Sequence, residues 1–181
     1  MTTTPRDPAV FAGSTAQVQI TERPPAHPDA SRLLRAFHRE QVDRYGFADP
    51  IELNSCAPPG GVFAVVYRGG APVGCGGYRW FDPAAGTVEI KRVYIVPASR
   101  GRGTGRALLT WLERNAVAAG AHRAILETGV RNTAALGLFT SAGYRPVDRY
   151  VQGRDPQINR AFARSLVSSA PQHAEVREGK R

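Results

Sequence analysis

A basic, glycine-rich stretch, RGRGTGR at residues 100–106, directly follows the apolar run VYIV at residues 93–96. Glycine lets the main chain approach a ligand closely, and the free N–H groups at the start of a helix bind anions. The amphipathic segment ALLTWLE follows without a break, so the order strand, glycine turn, helix is predicted. Such a turn can bind pyrophosphate, with Arg100, Arg102 and Arg106 supplying countercharge.

Other uses of a glycine-rich basic turn fit this sequence less well. A Walker-type phosphate loop needs Lys and then Ser or Thr after its last glycine, where this chain has Arg106 and Ala107. The dinucleotide fingerprint fails as well, because Arg106 stands at its third glycine position. A disordered RNA-binding tract should not run directly into a strong helix. An anion site and a basic turn without a ligand both remain open.

The elements that must position this turn follow from hydrophobic periodicity. Short apolar or alternating runs bounded by Gly, Pro and Asp predict strands, and apolar positions at the helical period predict helices. Hairpins in the first half and crossover helices in the second half indicate a mixed α+β, or α/β, fold. The predicted strands are 17–22, 62–67, 72–81, 87–96, 124–128, 144–150 and 160–167, and the predicted helices cover 33–45, 104–119 and 132–142.

Length and composition indicate one domain of ordinary size. The 181 residues are 42% hydrophobic, and the central part from 17 to 167 is predicted as the folded domain. Residues 1–16 and 168–181 have no periodicity and are predicted as disordered tails. The region from Gly46 to Gly61 is predicted as a long loop that shapes a pocket, together with residues 147–157.

The net charge of +9 allows a nucleic-acid partner or a polyanionic small molecule. Aromatic residues do not alternate with the basic ones as a stacking platform requires, so no nucleic acid is expected. Cys56 and Cys75 are too few for a disulfide framework and are not spaced as metal ligands, so no metal is expected. Without a signal peptide or a membrane span, a cytoplasmic protein without a membrane partner is expected.

The segment VEIKRVYIVPASRGRGTGRALL resembles the acetyl-CoA-binding segment of the GNAT superfamily of N-acetyltransferases. Arg100, Gly103 and Gly105 fill the family pattern of Arg or Gln, two residues, Gly, one residue, and Gly or Ala. The later segment NTAALGLFTSAGY is similar to the second cofactor segment of that family. The resemblance implies a GNAT-like fold, with a central mixed sheet of about six to seven strands and about four flanking helices.

The same resemblance implies the groups that hold acetyl-CoA as the acetyl donor. The turn would bind the pyrophosphate, the strand end would pair with the pantetheine arm as an added strand does, and an asparagine would touch the cofactor. Asn132 has a second explanation as the N-cap of the following helix. The predicted cofactor-binding residues are Tyr94, Ile95, Val96, Arg100, Gly101, Arg102, Gly103, Thr104, Gly105, Arg106 and Asn132.

Acetyl transfer to an amine needs a proton acceptor and a donor to the new oxyanion, for which a main-chain N–H on the cofactor strand is expected. Glu89 is the predicted catalytic base, because some members of the family carry a glutamate at this position; a salt bridge to Lys91 or Arg92 is the alternative. Glu127 is the second candidate for the base, or a contact for the amine of the acceptor.

One residue departs from the family pattern. A tyrosine often stands seven positions after the asparagine and protonates the leaving thiolate, but this chain has Phe139 there. The predicted function is direct acetyl transfer, through a ternary complex, to a primary amine of a small molecule or protein. The alternatives are a non-catalytic CoA-binding module and an RNA-binding protein. A homodimer is an allowed assembly, and the sequence does not identify the acceptor.

Overall fold

The computed structural model describes residues 9–11, 18–51 and 56–166. Its strands form one mixed sheet in the order β1-β2-β3-β4-β5-β6-β8-β7. The strands are β1 (Ala9–Phe11), β2 (Val18–Glu22), β3 (Gly61–Arg68), β4 (Ala71–Asp82), β5 (Thr87–Ile95), β6 (Arg123–Gly129), β7 (Arg145–Val147) and β8 (Asn159–Ser165).

Three α-helices flank the sheet: α1 (Pro28–Tyr45), α2 (Thr104–Ala118) and α3 (Thr133–Ser141). The N-cap of α1 is His27, whose Nδ1 accepts a hydrogen bond from the Asp29 amide. Asp29 and Ser31 are residue types that often cap helices, but both lie within α1. The end of α2 is as predicted, because Gly120 follows the last turn with a φ of +99°. A left-handed residue at that position is the usual way to end a helix.

The sheet opens between β5 and β6, which form its parallel pair. Their pairing covers only Thr87↔Arg123, Val88↔Ala124 and Glu89↔Ile125. Beyond Glu89 the two strands separate, although β5 continues to Ile95 and remains paired with β4 there. Two parallel strands must be joined by a crossover connection, which is usually right-handed, and α2 forms that connection here. The glycine turn therefore lies between the end of β5 and the start of α2.

Two apolar clusters, one on each side of the sheet, hold these elements in place. Leu108 and Leu112 of α2 belong to the larger cluster, and Leu33 and Leu34 of α1 belong to the smaller one. Asn115 stands among the apolar positions of α2 because its Oδ1 accepts a hydrogen bond from Tyr78, at 2.8 Å. The helices α1 and α2 are therefore held against the sheet by buried contacts.

The predicted mixed α+β, GNAT-like class is confirmed, with two differences in the count of elements. The described residues contain eight strands, and the additional one, β1, lies within the predicted tail 1–16 and pairs with β2. They contain three α-helices rather than four. One further helical segment, Pro97–Ser99, is a single 3₁₀ turn and not an α-helix. The predicted tail 168–181 lies outside the described residues, and the limits 17 and 167 stay predictions. Within the described ranges, no helix has the length and apolar character needed to cross a membrane.

Candidate active site

Two cavities meet where β5 and β6 separate. The turn-side cleft, of about 340 Å³, is bounded by the end of β5, the glycine turn and one face of α3. The carboxylate pocket, of about 170 Å³, contains Asp49, Glu89 and Glu127. Both cavities share the lining residues Phe37, Gln41, Val93, Asn132, Ala135 and Phe139. The two cavities are therefore adjacent at the opening of the sheet, with these six residues at their common boundary.

The glycines of the turn serve two different purposes. Gly101 and Gly103 have φ values of +71° and +75°, in the left-handed region that residues with a Cβ rarely adopt. Gly103 is also the N-cap of α2. Gly105 lies in the first helical turn, and a Cβ there would stand 3.4 Å from Leu138 on the opposite wall of the cleft. The first two glycines permit the turn, and a Cβ at the third would be in ordinary van der Waals contact with Leu138.

The three arginines of the turn have different surroundings. Arg100 donates to Glu40 of α1 at 2.5 Å and to the carbonyl of Ile95 at 2.8 Å. Arg106 donates to Ser141 of α3 at 2.7 Å. Arg102 is exposed and does not line the cleft. The countercharge role of the three side chains stays a prediction; Arg100 lines the cleft, and its guanidinium also connects the turn to α1.

Thr104 and Arg68 form a contact that sequence reasoning missed. Thr104 is 2% exposed, and its Oγ1 accepts a hydrogen bond from Arg68 of β3 at 2.9 Å. Arg68 lies 36 positions upstream, so no local pattern relates it to the turn. The contact fixes the N-terminus of α2, whose unpaired N–H groups face the cleft side of the turn.

The strand end offers fewer free main-chain groups than the sequence predicts. The N–H of Val96 donates to the carbonyl of Val73 at 2.9 Å, and the carbonyl of Ile95 accepts from Arg100. Both main-chain groups of Val96 already have partners, since its carbonyl accepts a hydrogen bond from the N–H of Ser99 at 2.9 Å. Tyr94 and Ile95 both line the turn-side cleft. The pairing of these residues with a ligand stays a prediction.

A β-bulge interrupts β5 between the cleft and the pocket. Gly77 pairs with Lys91 and Cys75 with Tyr94, so Arg92 and Val93 together stand opposite Gly76. Arg92 has a φ of +57°, the one positive φ of a non-glycine residue in the described ranges. An extra residue in a strand disturbs the hydrogen-bond ladder locally, and strained backbone of this kind is concentrated at functional sites.

Two residues of α3 are predicted from the family pattern. The side chain of Asn132 caps α3 by accepting from the Ala135 amide at 3.3 Å, so the capping explanation is confirmed. Asn132 also lines both cavities, and its contact with a cofactor stays a prediction. Phe139 is 5% exposed at the junction of the cavities and packs edge-on against Tyr144.

Glu89 is buried and fully hydrogen-bonded. Its side chain is 4% exposed, Oε2 accepts from Arg79 at 2.6 Å, and Oε1 accepts from Lys91 at 3.3 Å and from Tyr150 at 3.1 Å. The predicted ion pair with Lys91 is present. Arg92 is not a partner, because its guanidinium donates to the carbonyl of Pro50.

Glu127 has a different environment on the opposite strand. Its side chain is 10% exposed, and Oε2 lies 3.4 Å from Nε of Arg154. Oε1 is buried and has no hydrogen-bond partner among the described residues. Burial raises the pKa of the Glu127 carboxyl, and the charge of Glu89 acts in the same direction against the opposing effect of Arg154. A carboxylate with a free oxygen and a raised pKa is suited to accept a proton.

Arg154 and Asp49 complete the carboxylate pocket, and sequence reasoning identified neither. Arg154 makes two hydrogen bonds to Asp49, one of them 2.8 Å long, and these bonds lower the pKa of the Asp49 carboxyl. The pair connects the segment after β7 with the loop after α1, two regions that the sequence does predict as walls of a pocket. Among the described residues, no group of three His, Cys, Asp or Glu side chains is placed to hold a metal ion.

Comparison with known proteins gives a consistent result. Residues 28–144 match the model of the acetyltransferase (GNAT) family. An IAA acetyltransferase from Azospirillum brasilense is 38% identical over 112 residues, which cover 58% of this chain and 72% of that protein. A mycothiol acetyltransferase from Jonesia denitrificans is 30% identical over 82 residues, and these cover 44% of this chain but only 26% of that longer protein.

Solved structures show the same architecture. A protein from Klebsiella pneumoniae, provisionally described as an acyl-CoA N-acyltransferase, superposes with a TM-score of 0.74 at 27% identity, over 83% of this chain and 98% of its own. An aminoglycoside 6'-acetyltransferase type Ii gives a TM-score of 0.66 at 18% identity, over 83% of this chain and 99% of its own. At that level of identity, the second likeness shows the fold alone.

Proposed function

This chain belongs to the GNAT acetyltransferase family, and we propose that it transfers the acetyl group of acetyl-CoA directly to a primary amine. The family makes the chain an acyltransferase and implies acetyl-CoA as its co-substrate. The direct transfer, the amine as acceptor and the roles of individual residues are parts of the proposal. They are supported by the shape and the contacts of the two cavities.

The turn-side cleft fits the coenzyme. Main-chain N–H groups of residues 101–106 and the positive end of α2 would bind the pyrophosphate, as helix N-termini bind anions. The open edge of β5 at Tyr94 and Ile95 would hold the pantetheine arm in a strand-like manner. The acetyl group would then lie near the bulge of β5.

The carboxylate pocket would receive the amine. A primary amine with a pKa of about 10.4 is mostly protonated at neutral pH and must lose a proton before it attacks. Glu89 is the base that the sequence favours, but both of its oxygens are already occupied by hydrogen bonds. Oε1 of Glu127 is buried and has no hydrogen-bond partner within the described ranges, and we therefore favour Glu127 as the proton acceptor.

Charge develops on the carbonyl oxygen of the thioester as the amine nitrogen attacks. A main-chain N–H at the bulge of Arg92 and Val93 would stabilise that oxyanion, since the extra residue is free from the regular ladder. The C–N bond forms, the C–S bond breaks, and the coenzyme leaves as a thiolate. No enzyme nucleophile is needed in this sequence of steps.

The observation that carries the proposal is that the two cavities adjoin at the opening of the sheet and share six lining residues. The test is a coupled assay in which release of the coenzyme thiol is followed with acetyl-CoA and a panel of primary amines. We expect amine-dependent thiol release together with a mass increase of one acetyl group on the acceptor. Binding of acetyl-CoA without turnover on any amine would indicate a non-catalytic module instead.

A further inference from the structure

Three residues that line the carboxylate pocket carry three of the seven buried side-chain polar atoms that lack a hydrogen-bond partner in the described ranges. They are Oε1 of Glu127, Nε of Arg92 and Nε of Arg154. Buried polar groups in folded proteins are nearly always hydrogen-bonded, and leaving one without a partner is unfavourable. Unsatisfied groups of both signs around one cavity indicate a ligand that carries both charges.

Arg92 is the cation best placed to meet an anionic group. Both Nη atoms of Arg154 are bonded to Asp49, and Lys91 is paired with Glu89. Arg92 forms no ion pair with any carboxylate of the described residues within 4.0 Å. Its strained backbone, with a φ of +57°, places it at the bulge beside the pocket. Strain of this kind persists only where the surroundings maintain it.

Glu127 is the anion best placed to meet an ammonium group. Its strand, β6, leaves β5 after the pair Glu89↔Ile125, so Glu127 and Lys91 are each two residues beyond the last pairing. The charged or titratable groups facing Glu127 are Glu89 and Lys91 from β5, Asp49 from the loop after α1, and Arg154 from the segment after β7. None of them donates a hydrogen bond to Oε1.

We propose that the acceptor is a small amino-carboxylate, with its ammonium group at Glu127 and its carboxylate at Arg92. This inference rests on the proposed amine acetylation and adds the class of acceptor to it. The pocket has half the volume of the turn-side cleft, 170 Å³ against 340 Å³, which favours a small molecule over a polypeptide. The ionised Glu127 and the guanidinium of Arg92 hold the two ends of the acceptor, and the nitrogen points toward the opening of the sheet.

The proton balance of the transfer is simple in this arrangement. Glu127 takes one proton from the ammonium group, and the neutral nitrogen attacks the thioester carbon. The C–S bond breaks as the C–N bond forms, and the nitrogen loses a second proton. That proton ends on the coenzyme thiolate through solvent, while Glu127 returns its proton to water. One amide, one thiol and one released proton are the products.

The test compares matched acceptors that differ only in the carboxylate. Glycine, 3-aminopropanoate, 4-aminobutyrate and 6-aminohexanoate are assayed beside methylamine, ethylamine, propylamine and pentylamine, with saturating acetyl-CoA and the full chain. We expect kcat/KM of at least one amino acid to exceed that of its matched amine by about ten- to hundredfold. This is the factor for one hydrogen bond to a charged group. Equal kcat/KM values within every pair would overturn the inference and leave amine acetylation intact.

Variants of Arg92 test whether its side chain binds the carboxylate of the acceptor. Arg92→Gln should lower kcat/KM for the preferred amino acid by about tenfold or more relative to kcat/KM for the matched alkylamine, since any effect on the main chain of the bulge is common to both acceptors. Arg92→Lys should retain part of the preference, and exposed Arg145→Gln is the control for loss of one positive charge. Butyrate should compete with the amino acid in the native protein and lose this effect in Arg92→Gln. An equal loss on amino acid and alkylamine would show that Arg92 does not bind the carboxylate. Absence of transfer to all acceptors would overturn both proposals.

Discussion

Glu89 and Glu127 lie on the two strands that separate at the site, and their contacts differ. Glu89 accepts three hydrogen bonds, whereas Oε1 of Glu127 accepts none from the described residues. The hypothesis from sequence that Glu89 is the base stays untested, but Arg79, Lys91 and Tyr150 already donate hydrogen bonds to its two oxygens. Burial alone therefore does not distinguish a base from a structural ion pair.

Glutamine substitutions distinguish the two carboxylates. Glu127→Gln keeps the shape and removes the proton acceptor, so kcat should fall by about 10²–10⁴ with unchanged affinity for acetyl-CoA. Glu89→Gln should lower kcat by less than about tenfold, and it should lower the melting temperature because Arg79 and Lys91 lose their anionic partner. Steady-state kinetics and calorimetry give both quantities. A larger kcat loss in Glu89→Gln would make Glu89 the base.

The pH profile provides an independent measurement of Glu127. The base must be ionised, so kcat/KM should fall as pH decreases through the pKa of Glu127. Burial raises that pKa above its ordinary value of 4.5, and the acid limb should lie correspondingly higher. Arg154→Gln removes a charge that favours the ionised form, and we expect the limb to move further up in pH. An acid limb that stays in place in both Arg154→Gln and Glu127→Gln would exclude Glu127 as its source.

The family pattern often has a tyrosine at position 139 to protonate the leaving thiolate, and this chain has Phe139 there instead. Tyr94, Tyr144 and Tyr150 lie nearby, and burial raises the pKa of each phenol above its ordinary value of 10.0. A coenzyme thiol has a pKa near the 8.5 of a cysteine, so proton transfer from any of these phenols is unfavourable. Solvent is the better donor once the C–S bond has broken.

The three tyrosines can be tested one at a time. We expect no single Tyr→Phe change at Tyr94, Tyr144 or Tyr150 to lower kcat by more than about tenfold, and Phe139→Tyr should give no large gain. Rapid-mixing and steady-state rates measure the effect, with acetyl-CoA affinity as the control. A hundredfold loss at one position, with fold and affinity preserved, would identify a relocated acid.

At the scale of elements, the glycine turn and α2 form one unit. Gly103→Val would place a β-branched residue at a φ of +75°, and Gly105→Val would fill the space toward Leu138. Affinity for acetyl-CoA should fall at least about tenfold in both variants, because the main chain can no longer approach the pyrophosphate or admit the pantetheine arm. Calorimetry on the folded variants measures it.

A matched control separates backbone strain from loss of the site. Gly70 in the turn between β3 and β4 has a φ of +78°, and a Cβ there meets nothing within 4 Å, as at Gly103. Gly70→Val should therefore cost similar stability and leave acetyl-CoA affinity unchanged. If Gly70→Val and Gly103→Val weaken binding equally, the effect is general destabilisation, and the glycine turn is not the pyrophosphate site.

At the scale of the whole molecule, the site depends on a cleft between two parts of one sheet. A ligand that bridges β5, α2 and α3 should stabilise the native state. At a concentration of 100 times its Kd, it adds about 2.7 kcal/mol. For a domain of this size, that corresponds to a rise in Tm of roughly 5–10 °C. Differential scanning fluorimetry with acetyl-CoA measures it, and Gly103→Val should abolish the shift. An equal shift with RNA would instead support the RNA-binding alternative.

The sequence by itself determined the local structure of this protein and the family to which it belongs. Hydrophobic periodicity located the strand before the turn and the helix after it, because these patterns depend on neighbouring residues. Glycine spacing indicated the anion site, since a positive φ and close main-chain approach require glycine locally. Asn132 was recognisable as a cap for the same reason, as its partner is three residues away.

Only the tertiary structure decided which charged groups are occupied and which are free. Arg100 and Glu40 are separated by 60 positions, and Arg154 and Asp49 by 105, so no local pattern relates them. Their pairing depends on how the helices and loops pack around the sheet, and that packing left Oε1 of Glu127 without a hydrogen-bond partner among the residues that the structure describes. The type of a residue fixes the chemistry that it can perform, but its neighbours in space determine whether that chemistry is available.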